Sequence, residues 1–449
     1  MSAELTLLHV RNRSLGYGRL GVDLAKTLSA LGVTVYDSLG REPGGDIDTE
    51  VTDGYHIPEK PTNVVSWVSV PSHVRWWWTG QYRSIFTMWE ATRLPESFRE
   101  PLPNFDLVLV PSEQNVELFS AYHHNVQLVE LGVDPTRWFY VPRRPPTNRF
   151  NFLIGGSGVR KGIDLAFQAF HMVFGKWNRE PIPHLILKNP KMEEAYQGSP
   201  RVEMIGGKLS DEEEEALYET AHVYLQPSRG EGFGLQPLQA MAQGIPTILT
   251  DAHGHKAFSR YGVPIPASYS KAAYFLYGDA GDWWEPDFES LCEAMWDVYR
   301  NYAIYQEAAA AVAQFVIPQR FTWNHTAQAF CNAHGDQLSR TYSGPGTPQR
   351  PQRYLFRIRT IRDYKADIAG VTYLWRRGKD YWETPDVKRI LWEVGVLDEQ
   401  CLDDNVVGIK EGMDAPSGAR EWCPTCGQRL GTQSTQIDFL MERDYVDHG

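Results

Sequence analysis

Very little in this sequence serves covalent cross-linking, membrane insertion or attraction to polyanions. Its five cysteines, Cys292, Cys331, Cys401, Cys423 and Cys426, are an odd and sparse set, which excludes the disulfide framework of a small secreted domain. No window approaches the apolar length needed to span a bilayer. The N-terminus, MSAELTLLHVRNRS, has no apolar signal-peptide core, so a cytoplasmic location is expected. Positive charge is also short: 44 Lys and Arg stand against 56 Asp and Glu, a net charge of -12. General affinity for nucleic-acid backbone or anionic lipid is therefore not expected, and any nucleic-acid partner would need a local basic patch. What is present is the balance of a soluble globular protein, 42% apolar and 22% charged, whose 449 residues suffice for two or three domains.

The stretch richest in chemistry is Leu225 to Thr250, LQPSRGEGFGLQPLQAMAQGIPTILT. It reads as a strand, a glycine-rich loop and a helix. Pro237 suits the first helical turn, Gly244 suits a left-handed stop, and Ile245–Thr250 reads as the next buried strand. Such a loop lets backbone approach a ligand, and its free amides favour a phosphate or a sugar hydroxyl. The same order recurs at Phe150–Asp164, where Gly155, Gly156 and Gly158 precede Arg160-Lys161-Gly162. A basic pair at a helix start is poorly placed against the helix dipole, which is a reason to expect a bound anion there.

Strands alternate with helices elsewhere too. Leu5–Val10 is a strand, Ser14–Arg19 a glycine loop, Leu20–Leu31 a helix and Val33–Tyr36 a strand, a βαβ opening that predicts a doubly wound parallel sheet. Leu107–Val110 is a strand before a helix with Ser112 at its N-cap; Ser210 caps an acidic first turn in the same way. The Pro-rich Val141–Pro146 is read as a linker.

EGFGLQPLQAMAQG resembles the donor-site signature of retaining glycosyltransferases with the GT-B fold, the glycogen-synthase-like group called glycosyltransferase family four, and the Arg-Lys-Gly-Ile-Asp string resembles that group's second hallmark. The resemblance covers about residues 4 to 335 and points to a bacterial and phage branch. It implies two Rossmann-like domains facing a cleft, over residues 1–146 and 147–342, with a last helix crossing back and an appended segment at 343–449. It implies that Arg160 and Lys161 stabilise a departing nucleoside diphosphate, and that Glu231 contacts the transferred sugar. Gly232, Phe233, Gly234 and Leu235 would offer backbone amides. Gln239 stands where the group carries a second glutamate for the ribose; a glutamine keeps one acceptor but loses the charge. Equally, Gln236, Gln239 and Gln243 form the wet face of a helix. Many relatives have an arginine where this chain has Gly156.

Gly16 and Gly18 resemble the amino-terminal loop near the donor phosphates, or form a tight turn. His73 falls where the group often carries a sugar-contacting histidine, against a reading as an ordinary core or surface histidine. Trp76, Trp77 and Trp78 cannot all face one side of a strand or helix; they stack on a sugar acceptor or pin a loop. Glu90 is read as an acceptor-facing carboxylate, or as a cap on a turn. Beyond the linker-like Ser343–Pro348, basic and aromatic residues interleave from Arg350 to Trp382. That pattern suits an acceptor polymer, nucleic acid included, or a small domain covering the core. Cys423 and Cys426 look like half of a structural zinc ribbon, with only Cys401 and His448 as local recruits.

The expected activity is transfer of a hexose-type sugar from a UDP- or GDP-sugar, with retention and without a catalytic metal, to a glycan, protein, lipid or modified nucleic acid. The alternatives are a nucleotide-sugar epimerase on the same fold and a non-catalytic sugar-nucleotide or virion-binding module.

Overall fold

The computed structural model describes residues 3–9, 16–37, 61–74, 77–78, 80–156, 158–188, 196, 198–207, 209–270, 274–275, 278–344, 348–349, 353–359, 364–368, 371–375, 380–383 and 406–409. The first part of the chain supplies β1 (Glu4–His9), β2 (Thr34–Asp37), β3 (Val64–Val68), the two-residue β4 (Trp77–Trp78), β5 (Tyr82–Phe86), β6 (Leu107–Val110) and β7 (Val126–Leu128). All but β4 form a six-stranded parallel sheet in the order β2-β1-β3-β5-β6-β7. A second six-stranded parallel sheet follows, built from β8 (Arg149–Gly155), β9 (Ile182–Lys188), β10 (Val202–Ile205), β11 (Val223–Gln226), β12 (Thr247–Thr250) and β13 (Val263–Ile265), in the order β10-β9-β8-β11-β12-β13. The helices that matter for the site are α1 (Gly16–Ala30), α2 (Glu96–Arg99), α3 (Glu113–Ser120), α4 (Ile163–Phe174), α5 (Asp211–Thr220) and α6 (Leu235–Ala242).

The strands are nearly continuous apolar runs because both faces of each sheet are covered. In β6 the alternation of side chains sends Leu107 and Leu109 into one core cluster and Val108 and Val110 into another. A third cluster, around Phe150, Phe152 and Phe170, lies under the second sheet. The first of these clusters runs between the sheets, joining Leu5 and Leu7 to Tyr224 and Leu249 through Phe321 and Phe330.

The chain passes between the two halves twice. Outbound, the Arg143 guanidinium donates to the carbonyls of Tyr218, Glu219 and Ala221 at 3.3, 3.0 and 2.7 Å, helping to close the C-terminal end of α5. On the return, Val133 N–H donates to the Phe321 carbonyl at 2.9 Å and Trp323 N–H to the Val133 carbonyl at 3.2 Å. Arg320 grips Glu130 at 2.8 and 3.0 Å, and the helix Trp323–His334 that follows packs on α1.

Two local expectations need correction. Gly16-Tyr17-Gly18-Arg19 is the first turn of α1 rather than a loop. The helix lies so close to β1 that a Cβ on Gly21 would strike the His9 ring, and this packing outweighs glycine's poor helix propensity. Ser112 stands at the N-cap of α3, but its hydroxyl makes no cap bond. Ser210, by contrast, forms a complete capping box with Glu213, at 3.2 and 2.7 Å. Gly244 ends α6 with a φ of 74°.

In the appended segment, Pro348–Gln349 pairs antiparallel with β4. Strand Arg353–Arg359 lies between Asp380–Glu383 and Val406–Ile409, and Tyr364–Ile368 pairs with Val371–Trp375. Among the described residues no helix is long and apolar enough to cross a membrane.

Candidate active site

In the second sheet the strand order reverses between β8 and β11, so the loops leaving these neighbouring strands, 156–162 and 227–234, open a crevice at their carboxyl ends. Lys161 and Glu231 meet there, Nζ to Oε1 at 2.6 Å. Arg160 donates to the Gly230 carbonyl at 2.6 Å and lies 3.5 Å from the second Glu231 oxygen. From the first half of the molecule Glu90 completes the group, 3.9 Å from the Arg160 guanidinium. Two cations and two carboxylates from three loops thus share one cluster.

Glycine makes this convergence sterically feasible. Gly156 has a φ of 110°, and a Cβ there would press on the Lys161 stem at 2.9 Å. Any larger residue there would need a left-handed backbone and a shift of the Lys161 stem. Gly162, at φ 73°, packs against the Pro227 carbonyl, and Gly230 packs against the carbonyl of Glu90. Gly162→Ala combines left-handed strain with a backbone collision, so it is expected to cost about 2–3 kcal/mol in chemical denaturation. A loss below 0.5 kcal/mol would show that the loop yields easily.

A buried relay holds Glu231. Tyr224 donates to Gln226 at 3.1 Å, Gln226 to the Ser228 hydroxyl at 2.9 Å, and Ser228 to Glu231 Oε1 at 2.9 Å. Arg229 locks the two loops together: it binds Asp164 at 2.9 Å, Glu285 at 2.6 and 2.8 Å and the Val159 carbonyl at 2.6 Å. Burial pushes the Glu231 carboxyl up, but Lys161 and Arg160 outweigh it and hold the group well below the usual carboxylate range. The Glu90 carboxyl is shifted the other way, raised by burial against the pull of Arg160. Behind Glu231 lie His253 and His255, ring centroids 4.5 Å apart, both buried and both lowered by that burial, His253 to about 4. His253 meets the Ser228 carbonyl at 3.0 Å.

Beside α6 lies a cavity of about 150 Å³ whose walls include Arg19, Arg137, Trp138, Asp211, Leu235 and Gln239; Leu235 directly follows the 227–234 loop, but none of Glu90, Arg160, Lys161 and Glu231 lines it. Gln239 is 2% exposed, and its Oε1 has no hydrogen-bond partner among the described residues. A buried, unsatisfied acceptor beside a cavity is what a hydroxyl-bearing ligand would complete. At the rim, Glu214 is bound by Arg19 at 3.1 Å, by Arg137 at 3.0 Å and by Lys188. Burial raises this carboxyl, and Arg19, Lys188 and Arg137 together bring it down to about 2.

The sites expected from sequence are distributed as follows. Arg160, Lys161, Glu231 and Glu90 come together, with Gly155, Gly156, Gly232, Phe233 and Gly234 lining or shaping the same loops. Leu235 and Gln239 face the cavity. Gly18 is buried in the first turn of α1 and Gly16 is exposed. The neighbouring Tyr17 hydroxyl accepts from Met88 N–H at 3.0 Å, tying α1 to the segment that carries Glu90. His73 ends a short 3-10 turn, and Trp77–Trp78 form β4; Trp76, Cys423 and Cys426 lie outside the described residues. No metal-holding cluster occurs among the described residues. Ser228, Arg229, His253, His255 and Arg19 escaped the sequence reading. The only local signal was their proximity to the glycine loops.

A protein family described as Family 4 Glycosyltransferase in conflict systems matches residues 111–330. Mannosylfructose-phosphate synthase of Agrobacterium fabrum is 26% identical over 238 residues, covering 47% of this chain and 48% of that protein. The chain therefore spans about half the length of that curated relative. Among solved structures, sucrose-phosphate synthase from Thermosynechococcus elongatus superposes with a TM-score of 0.53 at 16% identity, over 74% of this chain and 98% of that one. WaaG, a glycosyltransferase involved in lipopolysaccharide biosynthesis, superposes with a TM-score of 0.51 at 16% identity, over 74% and 100%. These two likenesses carry the fold.

Proposed function

We propose that the chain, which has the GT-B fold, is a family 4 glycosyltransferase that moves a hexose-type sugar from a nucleoside-diphosphate sugar to a hydroxyl-bearing acceptor, with retention and without a catalytic metal. One observation carries the reading: Arg160 and Lys161 on one glycine loop converge with Glu231 on another at the switch point of the second sheet. A donor entering the crevice presents its diphosphate to the cationic pair, and Glu231, released from Lys161, accepts hydrogen bonds from sugar hydroxyls. The bond from the anomeric carbon to the diphosphate oxygen breaks, and the electron pair leaves with the phosphate. Arg160 and Lys161 neutralise that charge as it grows, as a divalent cation would. The acceptor hydroxyl attacks from the face the diphosphate vacates and passes its proton to a phosphate oxygen, which gives retention. Glu90 faces this point from the opposite half and orients the acceptor. The nucleoside extends into the cavity, where a ribose hydroxyl donates to Gln239 Oε1.

The test is a panel of UDP- and GDP-sugars, scored first by the rise in melting temperature and then by acceptor-dependent release of nucleoside diphosphate. Release of free nucleotide without an acceptor would favour an epimerase, and binding without turnover a non-catalytic module. Gln239→Ala removes one buried hydrogen bond from the nucleoside. It is expected to raise KM for the donor about tenfold while kcat changes less than about threefold. An unchanged KM would remove Gln239 from the donor site.

A further inference from the structure

The loop that would receive a donor sugar is covered from the first half of the molecule. Met88 packs over Gly232, where a Cβ would lie 2.6 Å from the thioether sulfur, and the Glu90 carbonyl sits over Gly230 with no room for a Cβ between them. Glu231, flanked by these two glycines, is 6% exposed. The covering segment is rooted in its own half: Met88 N–H donates to the Tyr17 hydroxyl at 3.0 Å, Trp89 N–H to Asn115 Oδ1 at 2.7 Å, and Asn115 Nδ2 to the Trp89 carbonyl at 2.9 Å. Its far end is fastened to the other half. Thr92 N–H donates to the Asp282 carbonyl at 3.1 Å, Arg93 N–H to the Ala280 carbonyl at 2.9 Å, and Asp282 N–H to the Thr92 hydroxyl at 2.7 Å. Residues 280–282 lead into Trp283–Pro286, which pairs with Ala267–Ser270 after β13. Trp284 N–H in turn donates to the Arg229 carbonyl at 2.9 Å, beside the donor loop. Ala280 nevertheless lies fully buried in the apolar cluster of Trp89, Ala91 and Leu94. A Cβ on Gly281 would collide with the Thr92 hydroxyl, so glycine at φ 79° is what permits the approach.

We propose that residues 88–93 are a lip clasped shut on residues 280–282, that the clasp opens to admit the nucleotide sugar and re-forms over it, and that the Thr92 hydroxyl is its positioning group. The lip lies on the face of the loop beside Glu231, so a sugar cannot reach that carboxylate while Met88 and Glu90 rest on Gly232 and Gly230. Each of the three clasp bonds can be exchanged for bonds to water at small net cost, so the clasp opens without unfolding either half. Because the lip is held by Tyr17 and Asn115, it moves with the first half, and opening parts the halves at the reacting centre. Closure then returns Glu90 to within 3.9 Å of the Arg160 guanidinium, and Asp282 fixes how far along the cleft it stands. Thr92 supplies the one side-chain bond of the three, so it can be changed without touching the backbone. What enters rests on the transferase reading; the coupling of clasp to loop does not.

Hydrogen exchange of the unliganded full chain tests the coupling. Thr92→Val removes the hydroxyl and keeps the shape; it is expected to speed exchange about threefold or more in peptides over both 88–93 and 230–234, with α4 and α5 unchanged. Thr92→Ser keeps the hydroxyl and is expected to exchange like wild type. Thr92→Cys with Asp282→Cys supplies a lock, since residues joined across strands by backbone hydrogen bonds have Cα atoms about 5.5 Å apart, within the span of a disulfide. In stopped-flow mixing with UDP and with GDP, the oxidised pair is expected to bind about tenfold or more slowly than the same protein reduced with dithiothreitol. Thr92→Val is expected to bind faster than wild type, and wild type oxidised in parallel controls for the native cysteines. The proposal is overturned if exchange over 230–234 is unmoved in Thr92→Val, if Thr92→Ser behaves like Thr92→Val, or if the oxidised and reduced pair bind at one rate. Should the reduced protein bind neither nucleotide while exchange responds as expected, the nucleotide-sugar reading fails and the clasp stands.

Discussion

Lys161→Ala is expected to lower kcat/KM for the donor by about 10²–10³-fold, the usual cost of removing one pre-aimed donor from a developing anion. In the proposed reaction the ammonium, which lies 2.6 Å from Glu231, meets the charge that the leaving diphosphate gathers. The lysine stem lies over Gly156, where a Cβ would come within 2.9 Å of it. Lys161→Arg is expected to recover little, because the fork of a guanidinium is bulkier and Arg160 already occupies the adjoining space. The alanine variant also leaves Glu231, only 6% exposed, with the more distant Arg160 as its cation, so the unliganded protein should melt earlier. Initial rates of diphosphate release, with donor saturation checked separately, measure the effect. A variant within tenfold of wild type would place the leaving group elsewhere.

Glu214→Gln should be the most costly change for stability away from the reacting centre. Three cations, Arg19 and Arg137 from the first half and Lys188 from the second, bind one carboxylate whose side chain is 10% exposed. Its folded pKa of about 2 lies below the unfolded value near 4.3. The difference corresponds to about 3 kcal/mol, present in full above about pH 5 and lost as pH falls through 4 toward 2. Wild type should therefore lose stability steeply over that acid range, while Glu214→Gln starts lower and falls less steeply. Parallel melting profiles from pH 7 to pH 3 would show that the three cations do not stabilise the fold through this group.

Much of the fold was legible because each strand and helix carries its own pattern. The apolar runs at Leu107–Val110 and Thr247–Thr250, the capping residues at Ser210, and the strings around Lys161 and Glu231 announce alternating β and α units with glycine loops between them. Periodicity cannot express which strands become neighbours. Lys161 and Glu231 are 70 residues apart, and their contact follows from β11 lying beside β8. Arg19 and Glu214, 195 residues apart, leave no local trace at all. The first turn of α1 was misread for a related reason. Two glycines in four residues argue for a loop, whereas the helix is held against β1 further along, where Gly21 lets it approach His9 closely. Ser228 and Arg229 were passed over because serine and arginine beside a glycine loop are common in any turn. Their importance lies in the partners that Asp164, Glu285 and Glu231 provide.

The two passages of the backbone between the halves also limit how the cleft can move. The outbound chain is moored at Val133, where it is zipped to the returning Phe321–Trp323, and again at Arg143 on the end of α5. Two anchored crossings favour a hinge-like swing of the halves, like a book on its spine, over free twisting or sliding. On the proposed mechanism, such a joint would return Glu90 to the same place over the donor loops at each closure, and so re-present the acceptor in one register.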